Sequence, residues 1–219
     1  MPDRLKEVIV EWKGHHFRLL PQKAIYWLEK ECLIVSDMHV GKSGFFRKNG
    51  IPVSGELQRN DLVKLLKLIE STQCKRLLIN GDLVHEAYNA EWDDFNALMD
   101  MFPEVKKELI IGNHDKLLNG LHSDICLVEN ELVEDGFCFV HEPSAAIKDA
   151  YFYFFGHLHP AVSLKGKGRQ RLRLPCFLQS DNQVFMPAFS DFTGLNSLPI
   201  KRGNTAYAIA GDEILIFNA

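Results

Sequence analysis

Five short apolar runs in this chain each stop at residue types that bind metal ions. No other feature of the sequence constrains the fold as much. Asp37 and His39 follow the run ending at Ser36, and Gly81-Asp82 follows the run ending at Asn80. Gly112-Asn113-His114-Asp115 follows Ile111, His141 follows Val140, and Gly156-His157-Leu158-His159 follows Phe155. Short continuous apolar runs read as buried strands. In α/β sheets, ligand sites lie beyond the carboxyl ends of the strands. A fold that makes these runs strands can therefore bring five such ends to one crevice.

The segments between the runs fit a strand-helix-strand first half. Val8–Trp12 and His16–Leu20 flank a Lys13-Gly14 turn, and Ile25–Leu28 and Leu33–Ser36 flank Glu29-Lys30-Glu31, which suggests a meander feeding a sheet. Ser54–Thr72 reads as a helix that Ser54 can cap, with Leu62, Leu65, Leu66 and Ile69 on one face. Arg76–Asn80 and Glu108–Ile111 read as buried strands. Ala90–Phe102 reads as a helix with Trp92, Phe95, Met99 and Phe102 on one stripe and Pro103 just past its end. After Leu127 the pattern turns to hairpins. Asp135-Gly136 joins Glu131–Glu134 to Phe137–Val140, Gly211-Asp212 joins Tyr207–Ala210 to Glu213–Phe217, and Tyr151–Phe155 is an apolar strand. The expectation is a mixed α/β fold, with helices over packed sheets, in one domain spanning residues 1–219.

The chemistry follows from residue type and spacing. In extended chain, residues i and i+2 point the same way, so Asp37-x-His39 and His157-x-His159 would each aim two side chains into one site. The glycines before Asp82, Asn113 and His157 would let the backbone turn sharply where a strand stops. The ligand set is two carboxylates (Asp37, Asp82), one amide oxygen (Asn113) and four imidazoles (His39, His141, His157, His159). That is too rich in nitrogen for calcium or magnesium and lacks thiolate, so it suits Mn²⁺, Fe or Zn²⁺. Seven ligands are too many for one ion. If Asp82 bridges, they serve two divalent ions ~3.5–4 Å apart, as in two-metal hydrolases.

Composition narrows the remaining classes. With 46% hydrophobic and 25% charged residues, the 219-residue chain is neither collagen-like, coiled-coil nor disordered. Its longest apolar run, Ala150–Phe155, falls far short of the ~20 residues of a spanning helix. The N-terminal residues contain nothing like a secretory signal, and the five cysteines form no Cys-x-x-Cys pair. The expectation is a cytoplasmic protein with reduced, packing cysteines. A net charge of −4 argues against broad affinity for nucleic acid but leaves room for a local basic groove.

The ordered elements D-x-H, G-D, G-N-H-D, H and G-H-x-H, from Asp37 to His159, resemble the signature of the calcineurin-like metallophosphoesterase superfamily. That resemblance implies a four-layer α-β-β-α sandwich with a dinuclear centre. Asp37, His39, Asp82 and His159 would hold the first ion, and Asp82, Asn113, His141 and His157 the second. His114 would be the catalytic acid, oriented by Asp115, and a metal-bridging hydroxide would attack phosphorus. Where the superfamily commonly has Gly after the fifth-motif histidine, this chain has Glu142-Pro143, which would narrow the pocket or add a carboxylate.

Further motifs lie outside the ligand set. Gly41-Lys42, Phe46-Arg47, Gly50-Ile51-Pro52-Val53, His141-Glu142-Pro143, His157-Leu158-His159-Pro160, Leu174-Pro175-Cys176-Phe177 and Pro187-Ala188-Phe189…Phe192-Thr193-Gly194 resemble the bacterial ligase-associated DNA-damage-response metallophosphoesterase (endonuclease) group. This implies a DNA-repair nuclease or phosphodiesterase, with ligase or helicase partners. Two alternatives stand beside it. One is a small-molecule phosphodiesterase or phosphatase for cyclic nucleotides or nucleotide pyrophosphates. The other is a catalytically silent scaffold, which the complete ligand set argues against.

Other positions carry weaker signals. Lys42 and Arg47 are candidates to grip a phosphate oxygen, against the alternative of a solvated loop. His85, three residues after Asp82, is a candidate substrate contact on the first turn of a helix. Lys165, Lys167, Arg169, Arg171 and Arg173 recur at every second position, either as a ladder for a nucleic-acid backbone or as a hairpin tip with ordinary surface charges. Phe45 and Phe46 would stack a base or pack on the fold. His15, His16 and His122 read as solvent-facing or loop residues.

Overall fold

A computed structural model of the chain describes residues 4–86, 88–143, 147–166 and 171–218. After a two-residue strand, β1 (Arg4–Leu5), the chain builds an antiparallel meander from β2 (Val8–Trp12), β3 (His15–Leu20), β4 (Ala24–Trp27) and β5 (Cys32–Val35). Trp12 pairs with His15 across the Lys13-Gly14 turn. From β5 onward the sheet is parallel, through β6 (Arg76–Asn80), β7 (Lys106–Ile110) and β8 (Ile125–Val128). Two of the three crossovers are helical, with α1 (Lys42–Lys48) and α2 (Glu56–Thr72) between β5 and β6 and α3 (Ala90–Asp100) between β6 and β7, while the chain from β7 to β8 is irregular.

The second sheet comes from the C-terminal half. It runs β1-β17-β16-β13-β14-β11-β10-β9, with β9 (Glu131–Glu134), β10 (Phe137–Val140), β11 (Phe152–Phe155), β13 (Arg171–Ser180), β14 (Gln183–Phe185), β16 (Thr205–Ala210) and β17 (Glu213–Asn218). Both expected hairpins form, with Glu134 opposite Phe137 and Ala210 opposite Glu213. β10, β11 and β14 run parallel to one another. β12 (Pro160–Lys165) pairs with β13 and with β15 (Asn196–Ser197).

Alternation in the parallel strands sorts two cores. Leu33, Val35, Leu77 and Ile79 face the helices, where they meet Leu62, Leu65, Leu68 and Ile69 of α2 and Trp92, Phe95, Leu98 and Met99 of α3. Ile34, Leu78 and Ile110 face the other way, into a core shared with Phe137, Phe139, Phe152, Phe154 and Phe177 of the second sheet. This inter-sheet core is rich in aromatic rings. Phe17 and Trp27 each lie 5.1 Å from the Phe137 ring, and Phe139 stacks on Phe154 at 4.6 Å. Complete burial of each such side chain contributes about 1.5–3 kcal/mol, which makes this layer the main adhesive between the sheets. On the opposite side of the second sheet, where the family resemblance implies helices, the described residues place β12 and the partly buried Leu198 and Ile200 over Cys176, Leu178, Ala206 and Ala208.

Several local expectations are refined. Helix α2 starts at Glu56 with Gly55 at its cap, and the Ser54 hydroxyl still accepts the Glu56 N–H at 3.2 Å. Asn89 caps α3 by accepting the Glu91 N–H. His15, expected to face solvent, is half-buried. Its Nδ1 accepts the Trp27 indole N–H at 3.0 Å, and its ring meets Phe137 edge-on, so it belongs to the inter-sheet core. His16 is exposed and contacts Glu29 at 2.8 Å. All five cysteines are free and four are buried, but Cys126 is exposed on β8 rather than packed. Among the described residues no helix is long and apolar enough to cross a membrane.

Candidate metal centre

The five ligand-bearing segments leave the carboxyl ends of β5, β6, β7, β10 and β11, three strands of one sheet and two of the other. Backbone and side chain stitch these ends together. Asp37 N–H donates to the Gly81 carbonyl and His39 N–H to the Asp82 carbonyl, both at 3.0 Å. Across the sheets, the Asn80 amide donates to the Phe154 carbonyl at 3.1 Å, and His157 N–H reaches the Asp37 carboxylate at 3.1 Å. The Ser36 hydroxyl lies 2.6 Å from Asp37 Oδ2 and 2.7 Å from the Asn80 carbonyl.

The ligand atoms fall into contiguous groups. Those of Asp37, His39 and His159 lie within 4.8 Å of one another, as do those of Asp82, His141 and His157. His141 Nε2 joins the two groups, 3.2 Å from Asp82 Oδ2 and 3.9 Å from Asp37 Oδ1. Asn113 Oδ1 adjoins the second group, 3.0 Å from His157 Nδ1. Main-chain carbonyls aim two of the rings. His141 Nδ1 meets the Asn80 carbonyl at 2.9 Å and His159 Nδ1 the Gly194 carbonyl at 3.2 Å, which leaves each Nε2 turned to the centre.

These residues fit a pair of divalent cations. Buried polar atoms normally have partners. Here His39 Nδ1 and His141 Nε2 are buried with no aligned hydrogen bond, beside two carboxylates that are themselves 0% and 2% exposed. The donors mix carboxylate, amide oxygen and imidazole without thiolate, the chemistry of a first-row divalent metal.

The charges point the same way. Burial works to raise the Asp37 and Asp82 carboxyls but is outweighed by neighbouring histidines. Asp37 ends below its usual range, held there by His159 and His141, and Asp82 falls to about 2, chiefly through His141. Burial drives His39 down to about 3, so at neutral pH it is an uncharged imidazole ready to ligate. Burial also works to lower His141, but Asp82 and Asp37 prevail and carry it up to about 9. Its proton is the one a cation would displace.

The backbone departs from the extended geometry expected for the D-x-H and H-x-H pairs. Asp37, His39, Asp82, His157 and His159 all have φ between 48° and 64°. Left-handed backbone costs a side-chain-bearing residue roughly 1–2 kcal/mol, and such strain gathers at functional sites. The i, i+2 rule therefore does not apply to these turns. Asp37 and His39 still share a group, but His157 and His159 fall in different ones. The glycines are corrected similarly. Gly81 has φ 80° and needs its conformational freedom, whereas Gly112 and Gly156 do not. A Cβ on Gly112 would overlap the Asp82 carboxylate, and one on Gly156 would overlap the Ser36 hydroxyl, so these glycines make room for ligands.

His114 lies beside the first group, its ring 5.2 Å from that of His39. Asp115 does not orient it. The Asp115 carboxylate accepts Val84 N–H at 3.0 Å and Gly112 N–H at 2.9 Å, and so ties the loop after β7 to the loop after β6. Burial raises this carboxyl to about 6 against those hydrogen bonds. His114 is aimed instead by the His85 carbonyl, 3.1 Å from its Nδ1. His85 is not helical, but its ring stacks on His114 at 5.2 Å, and burial lowers its pKa to about 4.

Lys42 is half-buried, with Nζ 5.5 Å from the centre of the Phe192 ring. Burial lowers its pKa while Asp37 and Asp82 pull it upward, which places the ammonium within their field. Arg47 is engaged elsewhere, by Glu91 at 2.8 Å. Phe45 lies edge-on to His85 at 5.4 Å, and Phe46 meets both His85 and Phe192. Of the basic stretch, Lys167 and Arg169 lie outside the described residues, and the Lys165 side chain is likewise not described. Arg171 and Arg173 are exposed on one face of β13, where Arg173 donates to the Leu195 carbonyl at 3.3 Å. Arg171 pairs with Lys165, at the end of β12 remote from His159, roughly 17 Å of strand away. Glu142 is exposed.

Several participants were not singled out from sequence, namely helix α1 itself, Ser36 and Asn80, while Phe192 and Gly194 figured only in a motif of the family resemblance, with no role at the centre. A hydroxyl and an amide closing two neighbouring strands were a usable signal for Ser36 and Asn80. Helix α1 offered none, since Gly41 caps it without a side chain and Gly44 interrupts it.

A sequence model described as calcineurin-like phosphoesterase matches residues 31–192. Among solved structures, the nuclease MPE of Pseudomonas putida superposes with a TM-score of 0.80 at 27% identity, over 96% of this chain and 100% of that one. YfcE, a phosphoesterase from E. coli, superposes with a TM-score of 0.43 at 16% identity, over 80% of this chain and 87% of the other. No curated protein matches the chain by sequence.

Proposed function

The chain belongs to the calcineurin-like phosphoesterase family and is a metal-dependent phosphoesterase. From that premise we propose that it is a phosphodiesterase that cuts nucleic-acid strands, a DNA-repair nuclease using two Mn²⁺ ions. The observation that carries this reading is the pair of adjoining carboxylate–imidazole groups with His114 at their edge. Similarity over nearly the whole chain to a protein described as a nuclease supports the choice of substrate.

Asp37, His39, Asp82 and His159 would hold one ion and Asp82, Asn113, His141 and His157 the other. When bound, such ions neutralise phosphate oxygens and supply a nucleophile at neutral pH. The chain's own residues do the rest. The His85 carbonyl keeps a proton on His114 Nδ1, so the proton that His114 gives up leaves from Nε2. A leaving alkoxide needs that proton, and histidine is the residue type that exchanges one near neutral pH. Asp115 acts only indirectly, tying the Gly112 N–H of the His114 loop to the Val84 N–H next to His85. Lys42 brings a cation toward the phosphate that the two aspartates alone would repel.

The test is turnover by Mn²⁺-reconstituted protein of bis-p-nitrophenyl phosphate, single-stranded DNA and 2′,3′-cyclic nucleotides in parallel, with Asp82→Ala as the blank. DNA cleavage that the blank lacks is expected. Turnover of the small diesters without DNA cleavage would overturn the nuclease reading.

A further inference from the structure

A cavity of about 380 Å³ opens beside the centre, lined by His85, Glu86, Asn113, His114, Lys116 and Leu117. Its size lies at the lower end of the range for small-ligand pockets, room for one organic group of modest size. Of the residues assigned to the centre and its acid, only Asn113 and His114 reach it. The cavity therefore lies on the acid side, and Asp37, Asp82, His39 and His159 are not among its lining residues.

That placement has a chemical meaning. In the hydrolysis, the bond between phosphorus and the leaving oxygen breaks with its electron pair on oxygen. That oxygen takes the His114 proton, and water supplies the oxygen that replaces it on phosphorus. Whatever the leaving oxygen belongs to must extend past His114, and the cavity opens there. Leu117, which is exposed, offers it an apolar wall, and Glu86 can accept from a hydroxyl or amino group. Lys116 is exposed and forms no ion pair among the described residues. Its main-chain N–H donates to the His114 carbonyl at 2.8 Å, so it follows the acid through a fixed turn.

We propose that this cavity is the leaving-group subsite, and that Lys116 on its wall recognises a second phosphate carried by the leaving group. The inference rests on the phosphodiesterase reading above. It makes the preferred substrate a strand that continues beyond the cut, rather than a cyclic nucleotide or an ester whose leaving group is neutral.

The test compares kcat/KM of Mn²⁺-loaded protein on dinucleotides with a terminal phosphate at the 5′ end, at the 3′ end, or at neither, with product analysis identifying the leaving side. The same comparison on uncleavable analogues, with a methylene in place of the leaving oxygen, reads binding without turnover. The wild type should favour the leaving-side phosphate about fivefold, as expected for an exposed ion pair, and the preference should shrink with added salt. Lys116→Gln should bring both ratios to unity. A wild type with no preference, or a preference that Lys116→Gln retains, overturns the subsite. If no dinucleotide is cut while bis-p-nitrophenyl phosphate is turned over, the nucleic-acid reading fails and the subsite with it.

Discussion

The two ends of the parallel strands bury charge in different ways. At the amino ends of β6 and β7, Arg76 pairs with Glu108 of the same sheet and, at 2.6 Å, with Glu134 of the other sheet, while Lys30 holds Glu134 and Asp135 at 3.1 and 2.6 Å. At the carboxyl ends of β5 and β6, Asp37 and Asp82 are buried beside His39 Nδ1 and His141 Nε2, which lack aligned partners, and the backbone is strained. Each end joins the two sheets. The first closes its charges among protein groups and is a fastening. The second leaves acceptors converging where only cations would complete them, the arrangement a metal site needs. Burial alone does not distinguish structure from function; the pairing of the buried charge does.

The largest expected effect is on the carboxyl-end side. Asp82→Ala should lose bound manganese and drop activity to background together. Full metal content in that variant, measured by elemental analysis, would show that the centre does not depend on Asp82. His114→Ala should cost about 10²–10⁴ in turnover of DNA, the usual contribution of a general acid, and much less with nitrophenyl esters, whose leaving groups need no proton. Equal losses on both substrates would contradict the acid role.

At the other end, Arg76→Met leaves Glu108 with Lys106 alone and Glu134 with Lys30 alone, and should cost about 1.5–3 kcal/mol in denaturant unfolding, with metal content unchanged. A loss of activity that exceeds the loss of folded protein would mean that the two ends are coupled. Gly156→Ala, whose new methyl would overlap the Ser36 hydroxyl, should weaken metal affinity about 10–100-fold, as removal of a ligand's supporting contacts does. Unchanged affinity by metal titration would show that the segment shifts without cost.

The smallest effect is in pH. Burial works to raise the Glu134 carboxyl, but Arg76 and Lys30 hold it below its usual value. The stability this contributes is present above the unfolded pKa, ~4.3, and is lost as pH falls through the lower folded one. The Tm gap between wild type and Glu134→Gln should therefore narrow below about pH 4. A gap as wide at pH 3 as at pH 7 would remove the ion pair from the account.

Much of the centre was legible because strand ends are local. An apolar run followed by Asp, His or Asn is visible within a few residues, and the parallel order of β5, β6 and β7 brings the first three such ends together. The meander, both hairpins and helices α2 and α3 were legible for the same reason, since period and turn residues act over short stretches. Helix α1 was not. It is short, lacks a capping side chain, and is pinned from outside, where the Asn89 amide donates to the Gly41 carbonyl and Glu91 binds Ser43 and Arg47. His15 was misjudged because its partners, Trp27 and Phe137, belong to different sheets.

By itself the sequence determined which residue types stand at the strand ends, how many ligands are on offer and which faces of the strands and helices are apolar. These follow from side-chain chemistry and from periods of two and 3.6. Only the tertiary structure decided the partners. It gave His114 to the His85 carbonyl and Asp115 to the backbone, and set the Asp37 carboxylate 3.0 Å from a histidine 122 residues away. Contacts so remote in sequence have no local signal. They exist because the aromatic core closes the sheets over one another and leaves the strand ends a single place to meet.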